Sequence, residues 1–126
     1  MVISHKAVIA YSEWLSEEFG INSDTVFANQ TPFYFVMSGL DIYQTLKTGA
    51  TAYIVPKQMF SFPIMLLQYL KEKKVNTIYW VPSALCTVAN FRALPEIHLD
   101  DLKLIMFSGE VMPVKQLNMW MDEYPD

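Results

Sequence analysis

The sequence predicts a three-layer α/β fold, a parallel sheet of about four strands with helices packed on both faces. Three observations lead there. Apolar residues switch repeatedly between helical spacing and short continuous runs, so strand-like and helix-like segments alternate. The strand-like runs are apolar throughout, as expected of strands covered on both faces. Connections are short, and successive strand–helix–strand units with right-handed crossovers bring the strands parallel.

Each element has its own signal. Ala7, Val8, Tyr11, Trp14, Leu15 and Phe19 recur at helical spacing and should face inward, with Gly20 as the stop. Thr25–Asn29 reads as the first strand. A helix is expected from about Met37 to Thr48, capped by Gly49. Ala52–Val55 is the second strand and ends at Pro56. Phe62, Met65, Leu66, Tyr69 and Leu70 share one face of the next helix, and Pro63 suits its first turn. Thr77–Val81 is the third strand; Pro82 and Ser83 open a helix running to about Ala93. Leu104–Phe107 is the fourth strand. Pro113 starts the last helix, with Val114, Leu117, Trp120 and Met121 inward. No linker or low-complexity tract interrupts the series, so residues 1–126 are read as one βα unit. Ligands in such sheets bind beyond the carboxyl ends of the strands, which nominates Gln30–Ser38, Pro56–Phe60, Trp80–Ser83 and Ser108–Met112.

Composition narrows the chemistry. Of the 126 residues, 52% are hydrophobic and 17% charged, more apolar than an ordinary domain, so some apolar surface is expected to meet a neighbour or a second copy. The net charge of −4 and the scattered basic residues give nucleic acid nothing to bind. Lys71, Lys73 and Lys74 cluster around Glu72 as a solvated helix end. One cysteine, Cys86, and two histidines, His5 and His98, rule out a disulfide framework or a histidine–cysteine metal site within one chain. Cys86 reads as a buried structural thiol and adjacent Asp100 and Asp101 as a loop. No apolar run approaches the roughly 20 residues that span a bilayer. His5, Lys6, Ser12 and Glu13 break any secretory leader, so a cytoplasmic setting is expected.

The four glycines, Gly20, Gly39, Gly49 and Gly109, form no phosphate-binding motif. Ser108-Gly109 follows a strand, but Met106 stands where a nucleophile elbow needs glycine. No catalytic residue is assigned on the chain.

Taken in order, VISHKAV (Val2–Val8), NQTPFYFVMSGLDIYQTLKTGAT (Asn29–Thr51), VPSAL (Val81–Leu85) and LIMFSGEVMP (Leu104–Pro113) resemble the adenylation domains of nonribosomal peptide synthetases and D-alanine–carrier-protein ligases. The resemblance runs along nearly the whole chain but covers only about a quarter of a complete enzyme. It implies a flavodoxin/Rossmann-like subdomain of an adenylation enzyme. Its activity would be conversion of an amino acid or related carboxylic acid and ATP, with Mg²⁺, to an acyl-adenylate, then transfer of the acyl group to a carrier-protein thiol. The family's phosphate loop would end just before Val2, its Tyr-Gly-Pro-Thr-Glu motif would follow Asp126, and its catalytic lysine lies in a later domain. The chain is therefore expected to be an inactive fragment carrying part of the acyl pocket, with no tight hold on ATP or Mg²⁺.

Phe35-Val36-Met37-Ser38 aligns with the family's Phe-Asp-x-Ser motif, whose aspartate pairs with the substrate's α-ammonium; here that position is Val36. The resemblance implies that Phe35, Val36, Met37, Leu40, Trp80, Met106 and Ser108 line the acyl pocket and that Gly109 and Glu110 lie on the nucleotide side. The competing expectation is a free-standing flavodoxin-like module that binds a small ligand or self-associates.

Overall fold

In the computed structural model, which describes residues 2–125, four strands pair in parallel. They are β1 (Val26–Asn29), β2 (Thr51–Ile54), β3 (Thr77–Trp80) and β4 (Leu104–Phe107), in the order β2-β1-β3-β4. Five helices connect or flank them: α1 (His5–Phe19), α2 (Gly39–Thr48), α3 (Pro63–Glu72), α4 (Pro82–Asn90) and α5 (Val114–Glu123). Short 3₁₀ turns at Val36–Ser38 and Lys57–Ser61 lead into α2 and α3. The expected α/β class, strand number and parallel pairing are all present.

Local signals account for the boundaries. Ser4 caps α1, its hydroxyl accepting from the Ala7 N–H, and Gly20 ends it in the left-handed conformation at φ 64°. Gly49 ends α2 likewise at φ 76°. Pro63 and Pro82 occupy the first turns of α3 and α4, where a missing N–H costs nothing. Helix α4 stops at Asn90, short of the expected Ala93, and Arg92 turns the chain at φ 53°.

Two cores lie on opposite faces of the sheet. On one, Ala28, Ile78 and Trp80 pack against Leu66, Leu67 and Leu70 of α3, Leu85, Val88 and Ala89 of α4, and Trp120 of α5. The Trp80 indole donates to the Ala28 carbonyl at 2.7 Å and meets Phe60 edge-on at 5.0 Å. On the other face Phe27 packs with Leu15 of α1, Leu40 of α2, Ile21 and Ala50. Strand alternation sorts the side chains: Ala28 and Trp80 go one way, Phe27 and Tyr79 the other.

Several inward expectations are corrected. Burial on both faces holds for the central strands β1 and β3 but not for β2 and β4, whose residues are half-buried or exposed because they form the sheet edges. Trp14 is 50% exposed, stacked edge-on against Phe19. Helix α1 meets α2 through polar contacts instead: the Gln44 amide donates to the Ser12 carbonyl at 2.8 Å, and the Ser16 hydroxyl donates to Gln44 Oε1 at 2.8 Å. In α3 the buried face is Pro63, Leu66, Leu67 and Leu70, while Phe62 and Met65 face solvent. In α5 Trp120 is buried but Val114 and Met121 are exposed, because α5 packs on α4 along one narrow stripe. Cys86 is half-buried rather than buried. Lys71 pairs with Asp100 at 2.9 Å on the surface, and its hydrogen bond and charge hold that carboxyl below its usual range.

Asn76, just ahead of β3, ties three strands together. Its side-chain oxygen accepts from the Val26 N–H at 2.8 Å, its amide donates to the Asp24 carbonyl at 2.9 Å, and its own carbonyl accepts from the Lys103 and Leu104 N–H groups. Asn76→Ala should leave the part-buried Val26 N–H without a partner and lower stability by about 1–3 kcal/mol. Urea unfolding followed by tryptophan fluorescence measures this; an unchanged midpoint would show that the side chain is dispensable.

Candidate functional site

All four strands run the same way, so their carboxyl ends open on one edge of the sheet, where the nominated loops gather. Met37, Leu40, Met106 and Ser108 come together there on the α1/α2 face. The Ser108 hydroxyl points to Met37 Sδ at 3.9 Å across 71 residues of sequence. Met106 and Tyr79 pack against the cluster that contains the fully buried Leu40.

Tyr79 was not among the residues expected at the site. Its hydroxyl lies 2.6 Å from that of Ser108, closing the floor between β3 and β4. The β3–β4 register pairs Tyr79 with Met106 and Trp80 with Phe107. If Met106 faces the site, Tyr79 faces it too and Trp80 cannot. Trp80, 0% exposed, belongs to the core on the opposite face. Period-two alternation read across the paired strands is the signal that would have found Tyr79.

Phe35 and Val36 sit apart from that floor. They line an open groove of roughly 690 Å³ with Phe33, Tyr34, Tyr11 and Tyr43. Val36 begins the 3₁₀ turn that presents Met37 and is 76% exposed. Ser38 is buried, its hydroxyl donating to the Phe35 carbonyl at 2.8 Å and fixing the turn.

Gly109 and Glu110 lie in the loop that follows β4. Gly109 adopts φ 91°, which a side chain would strain although open space surrounds it. The Glu110 carboxylate accepts from the Ser83 N–H at 2.8 Å and from the Ser83 hydroxyl at 3.1 Å, at the start of α4. Burial first and the Glu110 charge second raise the Cys86 thiol above its ordinary range, leaving it a poor nucleophile.

The face also holds a buried acid. Asp41, in the first turn of α2, is 2% exposed; Oδ2 accepts from the Asn29 amide at 2.8 Å, and Oδ1 has no partner. Burial raises its pKa to about 6, partly opposed by the Asn29 bond. The Tyr11 hydroxyl is raised by burial and by neighbouring Tyr79 and Asp41. Among the described residues no group of three or more His, Cys, Asp or Glu side chains could hold a metal ion, and no helix is long and apolar enough to cross a membrane.

The profile of the AMP-binding enzyme family matches residues 1–126. An L-proline–[L-prolyl-carrier protein] ligase of Pseudomonas fluorescens is 32% identical over 126 residues, 100% of this chain and 25% of that protein. A D-alanine–D-alanyl carrier protein ligase of Bacillus licheniformis is 32% identical over 98% of this chain and 24% of its own length. The chain thus spans about a quarter of the length of the curated relatives it matches. Among solved structures, CmiS6 superposes at a TM-score of 0.87 and 32% identity, covering 98% of this chain and 30% of that one. McyG A-PCP complexed with phenylalanyl-adenylate superposes at 0.85 over 98% of this chain and 20% of its own; at 14% identity that likeness is one of fold alone.

The raised Asp41 carboxyl has a consequence for stability. The unfolded chain ionises this group near its ordinary 3.8, the folded chain only near 6. Stability from this group is therefore greatest below about pH 4 and falls as pH rises to 6, by roughly 3 kcal/mol in all. Asp41→Asn keeps an acceptor for Asn29 and should flatten that slope. Urea unfolding of both proteins at pH 4.5 and 7.5 tests it: parallel changes in the two would remove Asp41 as the source.

Proposed function

The chain belongs to the AMP-binding enzyme family, and from that premise we propose that it forms the acyl-pocket portion of an ATP-dependent, AMP-forming ligase. The enzyme activates an amino acid or related carboxylic acid as its adenylate and passes the acyl group to a carrier-protein thiol. The observation that carries this is the meeting of Met37 with Ser108, beside Leu40, Tyr79 and Met106, at the carboxyl edge of the sheet. The carrier-protein ligases among the relatives support the reaction class.

In this reading Met37, Tyr79 and Met106 surround the acyl chain and exclude water from it, while Leu40, 2% exposed, is packed in the core beneath them and does not itself line the pocket. Ser108, bonded to Tyr79, limits the depth available. Phe35 and Val36 form the rim, and Gly109 begins the nucleotide side, while the Glu110 carboxylate is turned away to Ser83. Trp80 supports the floor from behind, through its bond to the Ala28 carbonyl. ATP, when bound, supplies the adenylyl group. The described residues do not make a site for Mg²⁺, since no metal-ligating cluster exists among them and the Glu110 carboxylate is taken by Ser83. No step is assigned to the ion on these residues.

Val36 bears on the substrate. Its side chain offers an ammonium group neither a compensating charge nor a hydrogen-bond acceptor, where the family's motif has an aspartate. The neighbouring Asp41 offers no substitute on the rim, being 2% exposed. A carboxylic acid lacking an α-ammonium group is the substrate this favours.

Two outcomes follow. The 126 residues alone should give no acid-dependent exchange of pyrophosphate into ATP; robust exchange would overturn the assignment of a partial pocket. In a full-length enzyme containing this chain, Val36→Asp should raise exchange with α-amino acids relative to the corresponding acids lacking nitrogen by tenfold or more, about 1.4 kcal/mol. An unchanged preference would remove position 36 from the pocket.

A further inference from the structure

The loop from Ser108 to Met112 leaves the sheet with few ties. Beyond the last β3–β4 pair, Trp80 with Phe107, its polar anchors are Ser108 to Tyr79 and Met37, and Glu110 to Ser83. Val111 is almost fully exposed, and Met112 only leans on the core. Helix α4 in turn needs a partner. Its N-cap, Val81, has no side-chain oxygen; Pro82 carries no N–H and Ala84 donates to the Val81 carbonyl, so the Ser83 N–H is the one donor of the first turn without a local acceptor. Glu110 supplies one from 27 residues away, with both carboxylate oxygens on Ser83. A carboxylate at a helix N-terminus also gains from the helix dipole.

We propose that Glu110 is a positioning residue. By docking on Ser83 it holds the β4–α5 loop against α4, and so keeps Ser108 in contact with Tyr79 and Met37. Gly109 makes this possible: at φ 91° it reverses the chain between Ser108, which points toward α2, and Glu110, which points toward α4. Glu110 thus acts on the acyl pocket through Ser108 and touches neither acid nor nucleotide. Its functional consequence rests on the pocket reading given above; the mechanical coupling does not.

The coupling is testable on the 126-residue chain. The Met37 ε-methyl signal, assigned with Met37→Leu in methyl-labelled protein, reports the Ser108 contact. Glu110→Ala should shift it toward the value of an unstructured methionine, whereas Glu110→Gln, which keeps an acceptor for the Ser83 N–H, should leave it in place. Cys86, the sole thiol, is raised first by its burial and second by the Glu110 charge, so both variants, which remove that charge, should move its midpoint for reaction with an aromatic disulfide to lower pH. If Glu110→Ala changes the Ser83 amide but not the Met37 methyl, Glu110 is only a helix cap and the proposal fails. Should the alanine variant not fold, Glu110→Asp, whose carboxylate is drawn back by one methylene, should shift the Met37 methyl in the same direction. In a full-length enzyme Glu110→Ala should raise KM for the acid several-fold and leave KM for ATP unchanged; the reverse pattern would make Glu110 a nucleotide contact and overturn its positioning role. A Met37 shift without any change in KM for the acid would uphold the coupling and count against the acyl-pocket reading instead.

Discussion

The hydrogen bonds of Asn76 fix the register on which the rest of the molecule depends. Its backbone joins β1 to β3 through the Val26 carbonyl, and β3 to β4 through the Lys103 and Leu104 N–H groups. Its side chain repeats the tie to β1 through the Val26 N–H and the Asp24 carbonyl. The strands are only four residues long, and β1 and β3 share a single ladder pair, Phe27 with Thr77. So little ladder leaves much of the alignment to one residue. In a sheet with period two, a slip of one position sends every side chain to the opposite face. It would exchange Tyr79 for Trp80 beneath the cleft and put a phenol hydroxyl into the core that now holds an indole.

That dependence explains what was legible in the sequence and what was not. Class, element order and the parallel sheet came from apolar periodicity and from punctuation by Gly20, Gly49, Pro63 and Pro82, all of which are local signals. The strand-end loops followed from topology alone. Trp80 and Tyr79 are adjacent in one apolar run, and nothing within that run says which of them faces the cleft. The choice is made by pairing with β4, opposite Met106 and Phe107. Burial was misread for a related reason. A continuous apolar strand looks the same whether it is central or at an edge, and only the order β2-β1-β3-β4 leaves β2 and β4 half-covered.

Helix α1 shows the same limit. Its apolar residues keep helical spacing, yet Trp14 and Phe19 lie against each other at the surface while Ser12 and Ser16 meet Gln44 of α2. An apolar stripe shows that a helix has a face to cover, and the partner that covers it is a matter of tertiary arrangement. The polar seam between α1 and α2 leaves the aromatic groove from Phe33 to Val36 open beside it.

The two acids on this face both point away from the Tyr79–Ser108 pair. Asp41 is buried and holds its proton to about pH 6, its one bond going to Asn29. Glu110, the other nearby acid, turns outward to the first turn of α4. What remains beneath the opening is the neutral hydrogen bond between Tyr79 and Ser108, flanked by the thioether of Met37 and the side chain of Met106. In the proposed acyl pocket, methionine would adapt to irregular volumes, and the hydroxyl pair satisfies itself without a ligand. It offers no counter-charge to an ammonium. Of the two acids on this side of the sheet, Asp41 is buried with one oxygen on the Asn29 amide, and Glu110 is held by the Ser83 N–H and hydroxyl at the start of α4.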